Sequence, residues 1–304
     1  MSYSFLRESK LYIVYSGTRY RIYTSSAISL DQTFAEDSYS VKTLHDQSKM
    51  FEGSTINKAN PASFSFDVPL TIEKDESVII TLLGNLTDGQ LKKFDIYVVT
   101  TNSTFKLENA IITSASMDFV PENPFMIRVE GEGTKLSRAG NESYSLPGTA
   151  HTEQTTRTPL MVYPAISADS LNMNNIISAN FQLQNDIAWT DYTNLHDSLS
   201  VTNSSNAMFP SAYTVEKRTA SGEIRQYQTD NNITQFDDFS TNTDLTIKAI
   251  EVGKASNATP FFQLQLNPVM YTARMEVADV FTQSYDFRSL DNTDPVTTQI
   301  SYST

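Results

Sequence analysis

Short runs in which apolar and polar residues alternate recur along the chain: Phe64-Ser-Phe-Asp-Val68, Phe94-Asp-Ile-Tyr-Val-Val99, Ile127-Arg-Val-Glu130, Leu245-Thr-Ile-Lys-Ala-Ile250 and Phe262-Gln-Leu-Gln-Leu266. A period of two predicts strands with one buried face. Thr, Tyr, Phe and Val are plentiful, as half-buried sheets favour, and clusters of Asn, Asp, Ser, Gly and Pro between the runs supply turn chemistry. The fold class predicted is all-β. Residues 72–86 depart from the pattern: Val78, Ile79, Leu82, Leu83 and Leu86 share one helical face, acidic residues crowd the start and Gly84 lies near the end. That combination predicts a short amphipathic helix lying over a sheet.

From Leu136 to Pro159 the alternation stops and Ser, Thr, Gly and Pro take over, as in an exposed connector. A weak repeat runs across this divide. Leu44-His45-Asp46 recurs as Leu195-His196-Asp197 at an offset of 151. Ile28-Ser29 and Asp37 match Ile177-Ser178 and Asp186 at 149, as do Asn57, Pro61 and Phe64-Ser-Phe-Asp67 with Asn206, Pro210 and Tyr213-Thr-Val-Glu216. Phe105-Lys-Leu107 matches Phe262-Gln-Leu264 at 157, and Ser114 to Phe119 matches Thr272 to Val277 at 158. The conserved order predicts an internal duplication: a first β domain over 1–138, a linker over 139–159 and a second β domain over 160–304. Alternation also assigns faces. Phe64, Phe66, Ala115, Met117, Phe119, Tyr213, Val215, Ala273, Met275 and Val277 are expected to point into the core. Asp67, Asp118, Glu216 and Glu276, with small polar neighbours, are expected on the solvated side.

Composition narrows the function. The 304 residues carry 22 Lys+Arg against 35 Asp+Glu, a net charge of −13, which speaks against a general nucleic-acid binder. With no cysteine there is no disulfide, thiolate metal site or cysteine nucleophile, as suits a reducing cytoplasm. No stretch approaches a membrane span and the first residues lack an apolar signal region, so a soluble, non-secreted protein is expected. His45 and His196 sit at matching places in the repeat and His151 lies in the connector, with no spacing that suggests a shared metal. Nucleophile-elbow, phosphate-loop and dinucleotide signatures are absent; Glu130-Gly-Glu-Gly-Thr-Lys135 reads as a strand end. No carboxylate pair is singled out by apolar surroundings, which leaves a glycosidase arrangement without an anchor. Trp189, the single tryptophan, is expected to anchor the base of a long loop in the second copy. The expectation is a structural protein, not an enzyme, with no cofactor and no metal.

The segment from Tyr39 to Phe66, YSVKTLHDQSKMFEGSTINKANPASFSF, resembles the long loop and following strand of the tail tube proteins of tailed bacteriophages. The helix at 72–86 and strands at Phe94–Thr100, Phe105–Phe119 and Phe125–Gly131 follow in that family's order. The resemblance implies small β-sandwiches whose inner sheets join around a channel, six domains to a ring. A duplicated chain would then form a trimer with pseudo-sixfold symmetry. It implies a major tail tube subunit in the virion tail, assembled in the host cytoplasm, that stacks into a tube for DNA passage during ejection without specific DNA binding. Its partners would be itself, the tape measure, the baseplate or tip, the terminator and a sheath where one is present, with no membrane. The channel wall would include Asp67, Asp118, Glu216 and Glu276. Inter-ring contacts would come from loops at Tyr39–Ala62 and Tyr192–Ser211, including His45, Met50, Phe51, Asn57, His196, Met208 and Phe209. The second copy shows the polar stretch Arg218 to Asp238 where the first has its helix. A tube terminator or baseplate ring protein, and a carbohydrate-binding tail adhesin, are the alternative readings.

Overall fold

The computed structural model describes residues 9–43, 46–73, 76–84, 89–121, 123–152, 156–168, 172–189, 208–210, 212–231, 241–277, 279–289 and 300–302. The first half runs through strands β1 (Lys10–Tyr15), β2 (Thr18–Ile22), β3 (Ser29–Asp31), β4 (Phe34–Thr43), β5 (Asp46–Ala59) and β6 (Ala62–Pro69). Helix α1 (Ser77–Leu83) follows, then β7 (Phe94–Val99), β8 (Thr104–Phe119), β9 (Met126–Gly133), β10 (Lys135–Gly140) and the short β11 (Thr149–Ala150). The second half holds β12 (Val162–Ala168), β13 (Ile176–Trp189), β14 (Tyr213–Tyr227), β15 (Thr241–Glu251), β16 (Phe262–Glu276), β17 (Thr282–Ser289) and β18 (Ile300–Tyr302). Among the described residues the structure is almost entirely β, with one helix, and the sheets do not close into a barrel. Each alternating run named from the sequence lies in a strand. No helix among the described residues is long and apolar enough to cross a membrane.

Among the described residues sixteen strands form one sheet system, and β4 and β5 pair only with each other. The long strand β8 joins the two halves. Its first part pairs with β7 on one edge and β10 on the other, and its last part pairs with β9 and, on the opposite edge, with β13. The pairing pattern of the first half recurs in the second: β1, β7, β8, β9, β6 and β3 neighbour one another in the same order as β12, β15, β16, β17, β14 and β13. β18 lies beside the start of β16 as β10 lies beside the start of β8.

Register shows where the internal correspondence departs from the sequence alignment. Phe66 stands opposite Val129 and Ile224 opposite Tyr285, so β6 corresponds to the last part of β14 and not to Tyr213–Glu216. The extra first part of β14 extends the hairpin it makes with β13, which displaces the match.

The core is continuous between the halves: Phe119 and Phe125 pack on Phe262 with ring centroids 6.0 and 6.2 Å apart. The helix is shorter than residues 72–86. Leu70 and Ile72 donate backbone hydrogen bonds to the Phe125 and Thr158 carbonyls, which ties this part of the chain to neighbouring segments, and the helix begins only at Ser77. Its Val78, Ile79, Ile80, Leu82 and Leu83 are all buried. The stretch from Arg218 to Tyr227 is not a polar substitute for a helix but part of β14, and 232–240 lie outside the described residues. The connector is exposed, yet strapped to the first half: Thr149 and Ala150 pair in parallel with β2, and Arg19 Nη1 donates to the Leu146 carbonyl over 2.7 Å.

Candidate functional site

Strands β3, β6, β9, β8, β13, β14, β17 and β16 lie side by side in that order across both halves. Alternation buries Phe64, Phe66, Ala115, Met117, Phe119, Phe181, Leu183 and Ile224 on one side of this array. The intervening side chains therefore form a single polar face. One row across it runs Asp118, Asn180, Glu223, Asp286. A second runs Asp67, Arg128, Ser116, Gln182, Ser221, Arg288, and a third Ser29, Ser65, Glu130, Ser114, Gln184, Thr219. Hydroxyls, amides and carboxylates dominate. The face dips in an open depression of about 340 Å³ beside Gly131, lined by Ser29, Ser63, Ser65 and Glu130.

Three arginines on this face are engaged by carboxylates. Arg128 Nε meets Asp67 Oδ1 at 3.2 Å, Arg225 Nη2 meets Glu276 Oε2 at 2.7 Å, and Arg274 pairs with Asp286. Exposed pairs of this kind add little to stability. Their chemical consequence is larger: a guanidinium held by a carboxylate has fewer donors left for another anion.

At the border of the face, the first half holds the root of the β13–β14 hairpin. Lys92 Nζ donates to the Thr81 carbonyl over 2.6 Å, and Arg218 Nη2 donates to those of Leu83 and Gly84 over 2.5 and 3.1 Å. These cations sit at the C-terminus of α1, where orphan carbonyls concentrate negative potential. Burial, and then the nearby Arg218, pushes Lys92 below its ordinary value. Trp189 Nε1 donates to Glu132 over 2.6 Å and its ring lies 5.3 Å from that of Tyr213. The Tyr213 hydroxyl donates to the Leu91 carbonyl over 3.0 Å, and burial raises its pKa. Trp189 thus ties the end of β13 to β9 and to the start of β14.

The sequence-derived positions separate into groups. Asp67, Asp118 and Glu276 all lie on the polar face. Glu216 is exposed farther along β14, in the part that extends the hairpin. Met50, Phe51 and Asn57 fall within β5, so the segment Tyr39–Ala62 is largely a hairpin strand and not a loop. His45 and His196, with most of Tyr192–Ser211, lie outside the described residues. Met208 and Phe209 are buried; the Ala59 amide donates to the Met208 carbonyl over 2.9 Å and Lys135 covers the Phe209 ring at 4.7 Å. Met275 and Val277, expected in the core, are 43% and 64% exposed, because among the described residues no strand covers that edge of β16. Asn180, Gln182 and Glu223 escaped notice, since the β8–β13 pairing that places them leaves no local signal. Among the described residues no group of three or more His, Asp or Glu side chains is placed to hold a metal ion.

The fold is all-β, and its described residues carry one continuous polar face. A family model described as the Bacteriophage Baseplate Tube Protein Family matches residues 1–304, and the chain belongs to that family. It is similar to the baseplate tube protein p140 of Escherichia phage T5, with 23% identity over 214 residues that cover 65% of this chain and 68% of the relative. The chain is thereby a structural tube component of a phage tail or baseplate.

Proposed function

We propose that the polar face lines the channel of a hollow ring, three chains to a ring, through which the phage genome passes without specific binding. The observation that carries this reading is the β8–β13 pairing, which makes one uninterrupted polar wall from two similarly paired halves. With two such units per chain, a division near 139–159, and a ring of six as in tail tubes, three copies give pseudo-sixfold symmetry. A wall that gripped phosphates would retain the polymer along its length through counterion release. Carboxylates, hydroxyls and neutralised arginines let it slide.

The family description and the relative's name favour a place at the baseplate end of the tube. Polymerisation into the main tail tube is the second reading, supported by the β4–β5 hairpin, which forms a sheet of its own and is a candidate device for joining rings. Assembly in the host cytoplasm, contact with other tail proteins, and a non-catalytic role belong to either reading. Negative-stain electron microscopy of the purified chain tests both. Rings with an open bore support the proposal, stacking into long tubes favours the second reading, and a particle without a bore at any concentration overturns the two together.

A further inference from the structure

Within the chain, the last part of β8 is covered by β13: Met117 faces Phe181, Phe119 faces Ala179, and both Met117 and Phe119 are fully buried. The counterpart of this edge in the second half is the last part of β16, where Met275 and Val277 stand at the places of Met117 and Phe119. β17 occupies one edge there, and among the described residues the other edge has no strand. The counterpart of β13 is β3, since Ser29 and Leu30 face Ser65 and Phe64 of β6 as Asn180 and Phe181 face Glu223 and Gly222 of β14. Among the described residues β3 pairs with β6 alone. Among the described residues the array thus ends in two unlike open edges that match the two edges joined at its centre.

We infer that a second copy of this chain lays its β3 antiparallel along the open edge of β16, in the register of the internal β8–β13 pairing. The inference rests on the ring reading above and specifies its contact. It sets Val277 opposite Ile28 of the second copy, Glu276 opposite Ser29, Met275 opposite Leu30 and Arg274 opposite Asp31. Open strand edges pair readily because their backbone N–H and C=O groups are unfilled. The side chains agree with the register: the exposed apolar pair Met275 and Val277 meets Leu30 and Ile28, and Arg274 meets a carboxylate, the favourable cross-strand combination. Because the two edges differ, the contact is heterologous, and it closes into a ring when its rotation repeats that between the halves.

The absence of cysteine allows a direct test. Glu276→Cys combined with Ser29→Cys places two exposed thiols directly opposite across the contact. Oxidation is expected to give covalent dimers and trimers on non-reducing electrophoresis that revert on reduction. Glu276→Cys combined with Thr33→Cys, out of register, is expected to remain monomeric on the same gel. Rings seen by microscopy without in-register cross-linking would overturn this pairing and leave the ring reading standing. Neither rings nor cross-links would overturn both. Met275→Lys gives a second check: a folded monomer with unchanged Tm and no rings is expected, and normal rings from it would refute the contact.

Discussion

Gly131 and Phe64 lie opposite each other on β9 and β6, and Gly222 and Phe287 lie opposite each other on β14 and β17. The two pairs occupy corresponding places with the partners exchanged. In each, the phenyl ring lies across the glycine, so a Cβ at Gly131 would run into the Phe64 ring and the Ile111 carbonyl oxygen. A backbone oxygen inside a sheet cannot retreat, so Gly131→Ala should lower stability by about 1–3 kcal/mol, read from the urea midpoint. The exchanged double variant, Phe64→Gly with Gly131→Phe, reproduces the second-half arrangement and should lose less than the sum of its single changes; full additivity would refute the correspondence. A charged cluster on another face gives a pH prediction. Lys106 Nζ lies 3.3 Å from Asp95 and 3.2 Å from Glu108. Burial alone would lower its pKa, but the two carboxylates raise it well above 10.5. A raised basic group contributes fully below its unfolded value and loses that contribution as pH climbs through the folded one. Lys106→Met should therefore destabilise by about 0.5–1.5 kcal/mol near neutrality. The wild-type advantage should shrink only above pH 10.5. An advantage that did not change with alkalinity would dismiss the cluster.

Elements with one buried face were legible in the sequence, and elements without one were not. β6, β7, β9 and β15 alternate because Phe64, Ile96, Val129 and Ile247 enter a shared core. The β4–β5 hairpin forms a separate two-stranded sheet where the sequence predicts a loop, because its pairing leaves no period-two apolar trace. Gln226 and Gln283 face each other in the buried layer, with the Tyr285 hydroxyl donating to Gln283 over 2.9 Å, where alternation would call for apolar residues like Val68 and Ile127. Of the candidate site, the outward carboxylates of β6, β8 and β16 were readable from parity alone, whereas the row through Asn180 and Glu223 depends on which strands meet. The hairpin's isolation yields a prediction at its own scale. Ser38 faces Ser54, so residues 39–53 can be replaced by an Asn-Gly turn that leaves the stem intact. The shortened chain should fold with nearly unchanged Tm and still form rings, but the rings should not join. Normal stacking in micrographs would remove the hairpin from the inter-ring contact.

For the molecule as a whole, the decisive property is how a polymer of phosphates responds to the polar wall. In the row Asp118, Asn180, Glu223, Asp286, two carboxylates can be reversed without touching the core, since Asp118 and Glu223 project from the face that alternation leaves to solvent. Surface changes of this kind usually alter stability by no more than about 0.5 kcal/mol, so Asp118→Lys with Glu223→Lys should fold and assemble normally. Repeated around a ring, the change turns a repelling band into an attracting one. Each phosphate newly neutralised adds about 0.9 to the slope of log affinity against log salt. Assembled rings of the variant should therefore retain double-stranded DNA at low salt and release it steeply as salt rises, where wild-type rings retain none. Phage carrying the variant should build complete particles but eject DNA slowly, with a matching fall in titre. Moving the same two lysines to Glu142 and Glu251, which lie off this face, controls for net charge alone. Equal DNA retention by both variants, or retention by neither, would show that the row through Asn180 does not face the channel.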